Sequence, residues 1–256
     1  MDPWRSAIAN SDQTNLWIRG YDITALMQRT TFADVVFLLH QSRLPSQNER
    51  KLIDAILIAV ADHGAGAPSC AAARLVASGN RESLSAAVAA GVLAIGDEHG
   101  GAGADCMDLI AAGTKLAASE SISIPDAAGR VFQDFRAARK RLPGLGHRVH
   151  KERDPRTEIL FNMARESGLS GDGVLFMKAL EKKAEERGKV LPINIDGALA
   201  AILYDLGFSS ALGKLIFIIG RVAGLTAEVA EEHNREKAMR IKIPIVYDGP
   251  PPRPLT

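Results

Sequence analysis

Apolar residues return every three or four positions along most of this chain, and that spacing is the tightest restriction on its architecture. Leu212, Leu215, Ile216, Ile219 and Val222 show it best, lying on one face of a helix. Aromatic residues are only 5% of the chain while Ala, Leu and Ile abound, so an all-α fold is expected. The pattern predicts helices near residues 31–41, 48–62, 69–79, 82–94, 102–118, 125–140, 155–167, 172–187, 196–206, 209–223 and 225–240. Short links containing Gly or Pro separate them, among them HGAGAPS, GDEHGG, RLPGLGH and KVLPIN, where backbone can turn sharply and approach a ligand closely. The tail IPIVYDGPPPRPLT has too many prolines for a helix and is expected to run extended, over the surface or onto a neighbouring subunit.

Charge excludes some partners. Lys plus Arg number 31 and Asp plus Glu 30, so neither nucleic acid nor an anionic membrane is expected as a main partner, and any anion must be held by a local cluster. The two cysteines, Cys70 and Cys106, lie in Ala-rich helical stretches with no CxxC or Cys/His spacing, which reads as buried thiols in a reducing compartment rather than a metal site. The polar start MDPWRSAIANSDQ lacks the apolar core of a signal peptide, and LIDAILIAVA is interrupted by Asp54 and too short to span a bilayer. A cytoplasmic protein is the expectation.

Three of the six histidines, His63, His99 and His147, fall in Gly-rich junctions between helices. One histidine beside glycine is most often a helix-terminal hydrogen-bonding residue, but three together suggest a buried ligand. Gly96, Gly100 and Gly101 leave room near His99, and Gly144 and Gly146 expose consecutive backbone groups just before His147. Beyond His147, Arg148, Lys151, Arg153 and Arg156 surround a helix start at Pro155, where anions are commonly held; a solvated basic face fits equally well. Asp196 opens an apolar helix, which suits either an N-cap or a general base facing a cleft. Arg221 interrupts the apolar run KLIFIIGRVAGL and needs an anionic partner there, from the protein or from a ligand.

Taken in order, IRGYDITAL, TFADVVFLLHQSRLP, ADHGAGAPS, GDEHGG, PGLGHRVHKERDPR, NIDG and IGRVAGLTAEVAEE resemble the citrate synthase superfamily over most of the chain. PGLGHRVHKERDPR is the most specific piece. The resemblance implies a larger helical domain, residues 1–100 and 208–256, and a smaller one, residues 101–207, closing over substrates in a cleft at a subunit interface. His99 and His147 then look like the two catalytic histidines and Asp196 like the catalytic carboxylate. His63, Arg156 and Arg221 resemble ligands of the oxaloacetate or citrate carboxylates. Pro143, Gly144, Leu145 and Gly146 resemble the loop that cradles coenzyme A, with Lys151 and Lys189 near its phosphates.

The passage from LHQSRLPSQNE to ADHG omits a helical stretch usual in citrate synthases, and this short form resembles citryl-CoA lyase and the carboxy-terminal module of ATP-citrate lyase. The implied reaction cleaves citryl-CoA to acetyl-CoA and oxaloacetate by acid–base catalysis, with the CoA thioester as substrate and neither a metal nor a tightly bound cofactor. Citrate or methylcitrate synthase is the alternative, sharing the carbon–carbon step, and a catalytically silent CoA-binding scaffold is a third. Also implied are a homo-oligomer, at least a dimer, and a separate citryl-CoA synthetase as supplier of the substrate.

Overall fold

The computed structural model describes residues 3–96, 99–100, 102–146 and 153–254, and among them the chain forms eleven helices and a small three-stranded antiparallel sheet. The strands β1 (Ala9–Ser11), β2 (Leu16–Ile18) and β3 (Tyr21–Asp22) pair in sequence order. They were not expected, because two or three residues are too few to show a strand's alternation. Asp22 then accepts the N–H groups of Thr24 and Ala25 and starts the two-turn α1 (Ile23–Arg29).

Reciprocal caps begin the next two helices. Thr31 pairs with Asp34 at the start of α2 (Phe32–Gln41), and Ser46 with Glu49 at the start of α3 (Gln47–Val60). The Arg43 guanidinium also grips Glu49 and holds that carboxyl down at about 2. There follow α4 (Pro68–Gly79), α5 (Leu84–Leu93), α6 (Ala102–Glu120), α7 (Ile124–Ala137), α8 (Pro155–Glu166), α9 (Asp172–Glu185) and α10 (Ile195–Asp205).

The last helix differs from expectation. Residues 210–235 form one helix, α11 (Ser210–Arg235), with no break at Gly224. The glycine serves packing rather than turning: a Cβ there would collide with the Ala61 carbonyl oxygen and Asp62, and one on Gly220 would meet the Leu57 carbonyl oxygen at 2.9 Å. Both glycines let α11 lie close against the end of α3. Arg81 ends the helix by donating to the Glu232 and His233 carbonyls at 2.9 and 3.0 Å.

By length and composition α11 is apolar enough to cross a membrane, yet it packs on α3, α4, α5 and α6 and buries Arg221 and Glu232 among them. The principal hydrophobic core runs from Val36 and Ile53 through Met107, Phe176 and Leu199 to Phe217. A smaller core of Cys70, Ala73, Ala77, Ala87, Leu225 and Val229 joins α4, α5 and α11. α11 belongs to both, so the residues it carries have fixed positions relative to each.

Candidate active site

The amino-terminal end of α10 is built by a short ladder. The Gly146 N–H donates to the Pro192 carbonyl at 2.7 Å, and the Asn194 N–H to the Gly144 carbonyl at 3.0 Å. The Asn194 side chain donates to the Gly146 carbonyl at 2.8 Å and accepts the Gly197 N–H at 3.0 Å. Asn194 therefore caps α10, and Asp196, in the first turn, is not needed for that task. Gly144 sits at φ +78°, where a Cβ would lie 2.6 Å from Cys106 Sγ and 2.7 Å from Gly197 Cα. The ladder thus joins the 143–146 loop to the segment that delivers Asp196.

Burial raises the Asp196 carboxyl above the ordinary aspartate range, outweighing the opposing attraction of Arg156 and then Arg221; nearby Asp154 pushes the same way as burial. A carboxyl that keeps its proton more readily than usual beside two guanidinium groups is suited to proton transfer.

Arg221 is 3% exposed and occupies the middle of α11. Its Nε donates to the Val60 carbonyl at 2.9 Å and one terminal nitrogen to Ser69 Oγ at 3.1 Å, while its carbon lies 5.1 Å from the Phe217 ring centre. Ser69 Oγ in turn lies 2.9 Å from His99 Nε2, which also accepts the Ser69 N–H at 3.3 Å. A neutral His99 ring then carries its proton on Nδ1. Reciprocal backbone hydrogen bonds of 3.0 Å between Gly96 and His99 fix the backbone that carries the imidazole, and the Phe217 ring meets it nearly at right angles with ring centres 6.4 Å apart. Gly100 has to lack a Cβ because one would strike Phe217.

The other expected residues are placed less closely. Arg156 spans both Asp154 carboxylate oxygens, Nε at 3.0 Å and a terminal nitrogen at 2.8 Å, and reaches the Ala59 carbonyl at 3.4 Å. Asp154 is 1% exposed and caps α8, so Arg156 is oriented by the protein's own acid. Arg153 faces solvent and pairs with Glu158 at 2.6 Å. His63 is exposed in the turn before α4, where Asp62 accepts the Gly64 N–H at 2.5 Å. Lys189 is exposed beyond the end of α9. His147 and Lys151 lie outside the described residues.

Ser69, Asp154 and Asn194 were not singled out from the sequence. Each follows a readable signal: Pro68 places Ser69 in a first helical turn, Pro155 makes Asp154 an N-cap, and Asn194 stands three residues before Gly197. Their partners were not readable, since these lie in distant segments or depend on the direction of a buried side chain.

A family model described as citrate synthase, C-terminal domain, matches residues 45–242. The structure of citryl-CoA lyase from Hydrogenobacter thermophilus superimposes with a TM-score of 0.90, is 38% identical, and covers 99% of this chain and 97% of that one. Peroxisomal citrate synthase of Dictyostelium discoideum is 31% identical over 78% of this chain and 40% of its own length. ATP citrate lyase of Methanosaeta concilii, solved with (3S)-citryl-CoA, shares the fold with a TM-score of 0.76 at 20% identity, over 97% of this chain and 42% of that one. The chain spans about half the length of the curated relatives it matches.

Proposed function

The chain belongs to the citrate synthase family, and from that membership we propose that it is a citryl-CoA lyase, cleaving citryl-CoA to acetyl-CoA and oxaloacetate by acid–base catalysis. The observation that carries the chemistry is the meeting of His99 and Arg221 on the Ser69 hydroxyl, with Asp196 in the field of the same arginine. The choice of lyase rests on the fit to the Hydrogenobacter thermophilus enzyme, at 38% identity and a TM-score of 0.90, against 18% and 0.63 for the citrate synthase of Thermotoga maritima.

In this reading His147 accepts the proton of the citryl hydroxyl, the carbon–carbon bond breaks, and the electron pair passes to the acetyl-CoA enolate. The His99 Nδ1–H donates to the enolate oxygen as charge develops there, its other nitrogen being occupied by Ser69. Asp196 then gives its proton to the enolate carbon. Its raised pKa suits a group that holds a proton until the enolate forms. Arg221, with Arg156 and His63, steadies the oxaloacetate carboxylates in register. The 143–146 loop, with Lys151 and Lys189, holds the coenzyme A portion. No resident cofactor or metal takes part in these steps.

Self-association and location belong to the same proposal. Although α5 is almost wholly apolar, only Ala87 and Gly91 are buried, leaving Leu84 and Leu93 44% and 85% exposed. Such a helix calls for cover, and a second copy of the chain supplies it in the proposed homo-oligomer. The setting is the cytoplasm, where Cys70 and Cys106 stay reduced and a separate citryl-CoA synthetase supplies the substrate.

The experiment presents the purified protein with citryl-CoA, and separately with oxaloacetate plus acetyl-CoA, following acetyl-CoA and free thiol. Acetyl-CoA formed without thiol release is the expected result. Thiol released only with oxaloacetate would replace the lyase by a synthase, and saturable CoA binding with neither reaction would make the chain a silent relative.

A further inference from the structure

We propose that Glu181 is a positioning residue for thioester binding: from α9 its carboxylate accepts the Ile193 N–H at 2.8 Å and thereby sets the register of the 192–194 segment against the 143–146 loop. The inference rests on the reading that this loop meets the coenzyme A portion of the substrate.

The ladder explains why such a residue is needed. Pro192 and Asn194 bond the loop, and Leu145 opposes Ile193 in an isolated antiparallel bridge. The two backbone polar groups of Ile193 are held elsewhere. Its carbonyl accepts the Thr157 hydroxyl from α8 at 3.1 Å, and its N–H goes to Glu181 from α9. Ile193 is only 2% exposed, so its N–H has little access to water and losing the acceptor would strand a buried donor. Two side chains from different helices thus pin the residue opposite Leu145, and the segment they pin is the one that bonds the Gly144 and Gly146 backbone.

The carboxylate occupies this place against its own solvation. Burial raises its pKa, Glu185 on the same helix and Glu158 on α8 add to the rise, and the Ile193 N–H and Lys178 oppose it. A side chain serving solubility alone would sit in water.

The test compares Glu181→Gln, which keeps an acceptor oxygen and removes the charge, with Glu181→Leu, which removes both. Steady-state cleavage of citryl-CoA is measured together with amide hydrogen exchange of the ligand-free protein. For Glu181→Leu, KM is expected to rise about tenfold with a smaller change in kcat, and the Ile193 amide and the 143–146 loop to exchange about tenfold faster while the α9 amides stay protected. Glu181→Gln should stay close to the wild type in both measurements. Unchanged KM and exchange in Glu181→Leu would overturn the proposal, as would equal losses in the two variants or a general loss of protection with KM intact. Should the wild type fail to cleave citryl-CoA, the lyase reading falls, and the exchange comparison alone decides the role of Glu181.

Discussion

Arg221 donates a 3.1 Å hydrogen bond to the Ser69 hydroxyl oxygen, joining the middle of α11 to the first turn of α4 across 152 residues of sequence. Because that oxygen also lies 2.9 Å from His99 Nε2, the guanidinium and the imidazole share one fixed point. Removing the hydroxyl in Ser69→Ala leaves the backbone N–H to orient His99, so kcat for citryl-CoA cleavage is expected to fall about tenfold. Arg221→Lys cannot reach both Val60 and Ser69 with a planar fork, and kcat/KM should fall about a hundredfold. Steady-state kinetics of the two variants would show it, and wild-type rates in both would remove this row from the mechanism.

Asp196 links activity to stability with opposite signs. Its pKa is raised on folding, so above the unfolded value of 3.8 the folded protein binds more protons than the unfolded chain. Stability contributed by this group is present at low pH and is lost as pH rises through the folded pKa. Asp196→Asn abolishes that loss. The variant should cleave citryl-CoA on the order of a thousandfold more slowly and melt at a higher temperature than the wild type at pH 7. Thermal unfolding at pH 4 and pH 7 measures the second effect: the gain should be greater at pH 7, and a destabilised variant there would contradict the raised pKa.

Glu232 has no exposed side-chain surface and stands between Arg74, at 3.1 Å, and Arg240, at 2.5 Å. Arg240 also pairs with Glu236, so the stretch after α11 is tied back onto its own helix. Leucine in place of Glu232 would leave two cations facing an apolar side chain, and urea unfolding is expected to show a loss of about 3–5 kcal/mol. A loss below about 1 kcal/mol, the usual worth of an exposed pair, would mean that the network is solvated.

Gly144 tests the loop independently of charge. In Gly144→Ala a methyl at φ +78° would press on Cys106 and Gly197, forcing the loop off the 192–194 ladder. The KM for citryl-CoA should rise at least about tenfold, whereas Gly168→Ala, at φ +70° with open space around it, should leave KM unchanged despite similar backbone strain. Equal kinetic effects would separate the loop from substrate binding.

Much of the helical order could be read from the sequence, because α8 and α9 bury one face, α10 is an apolar run buried nearly all round, and the three begin with recognisable residues: Pro155, Asp172 and the Asn194 cap. The break expected at Gly224 failed because glycine has two uses, in turns and in close packing, and only the neighbouring chain decides between them. The short strands escaped because two or three residues show no sustained alternation, and α1 because its seven residues bury only Leu26. At the site, the residue types were legible in glycine-flanked motifs, but the connections were not. Nothing near Arg221 in sequence points to Ser69, and although Asp154 stands two residues before Arg156, the sequence does not show that both of its carboxylate oxygens accept from that guanidinium.

Phe217, Arg221, Gly224, Glu228 and Glu232 follow one another at intervals of four, three, four and four along α11, and so share one face of an uninterrupted rod. The aromatic neighbour of His99, the guanidinium, the contact with α3 and the acids that grip Arg74 are indexed to one another by helical phase. One residue added between Arg221 and Glu228 would swing the acidic end through roughly 100° relative to the imidazole end. Single side chains along this rod can be exchanged without disturbing that phase, but a change in their number turns one end against the other.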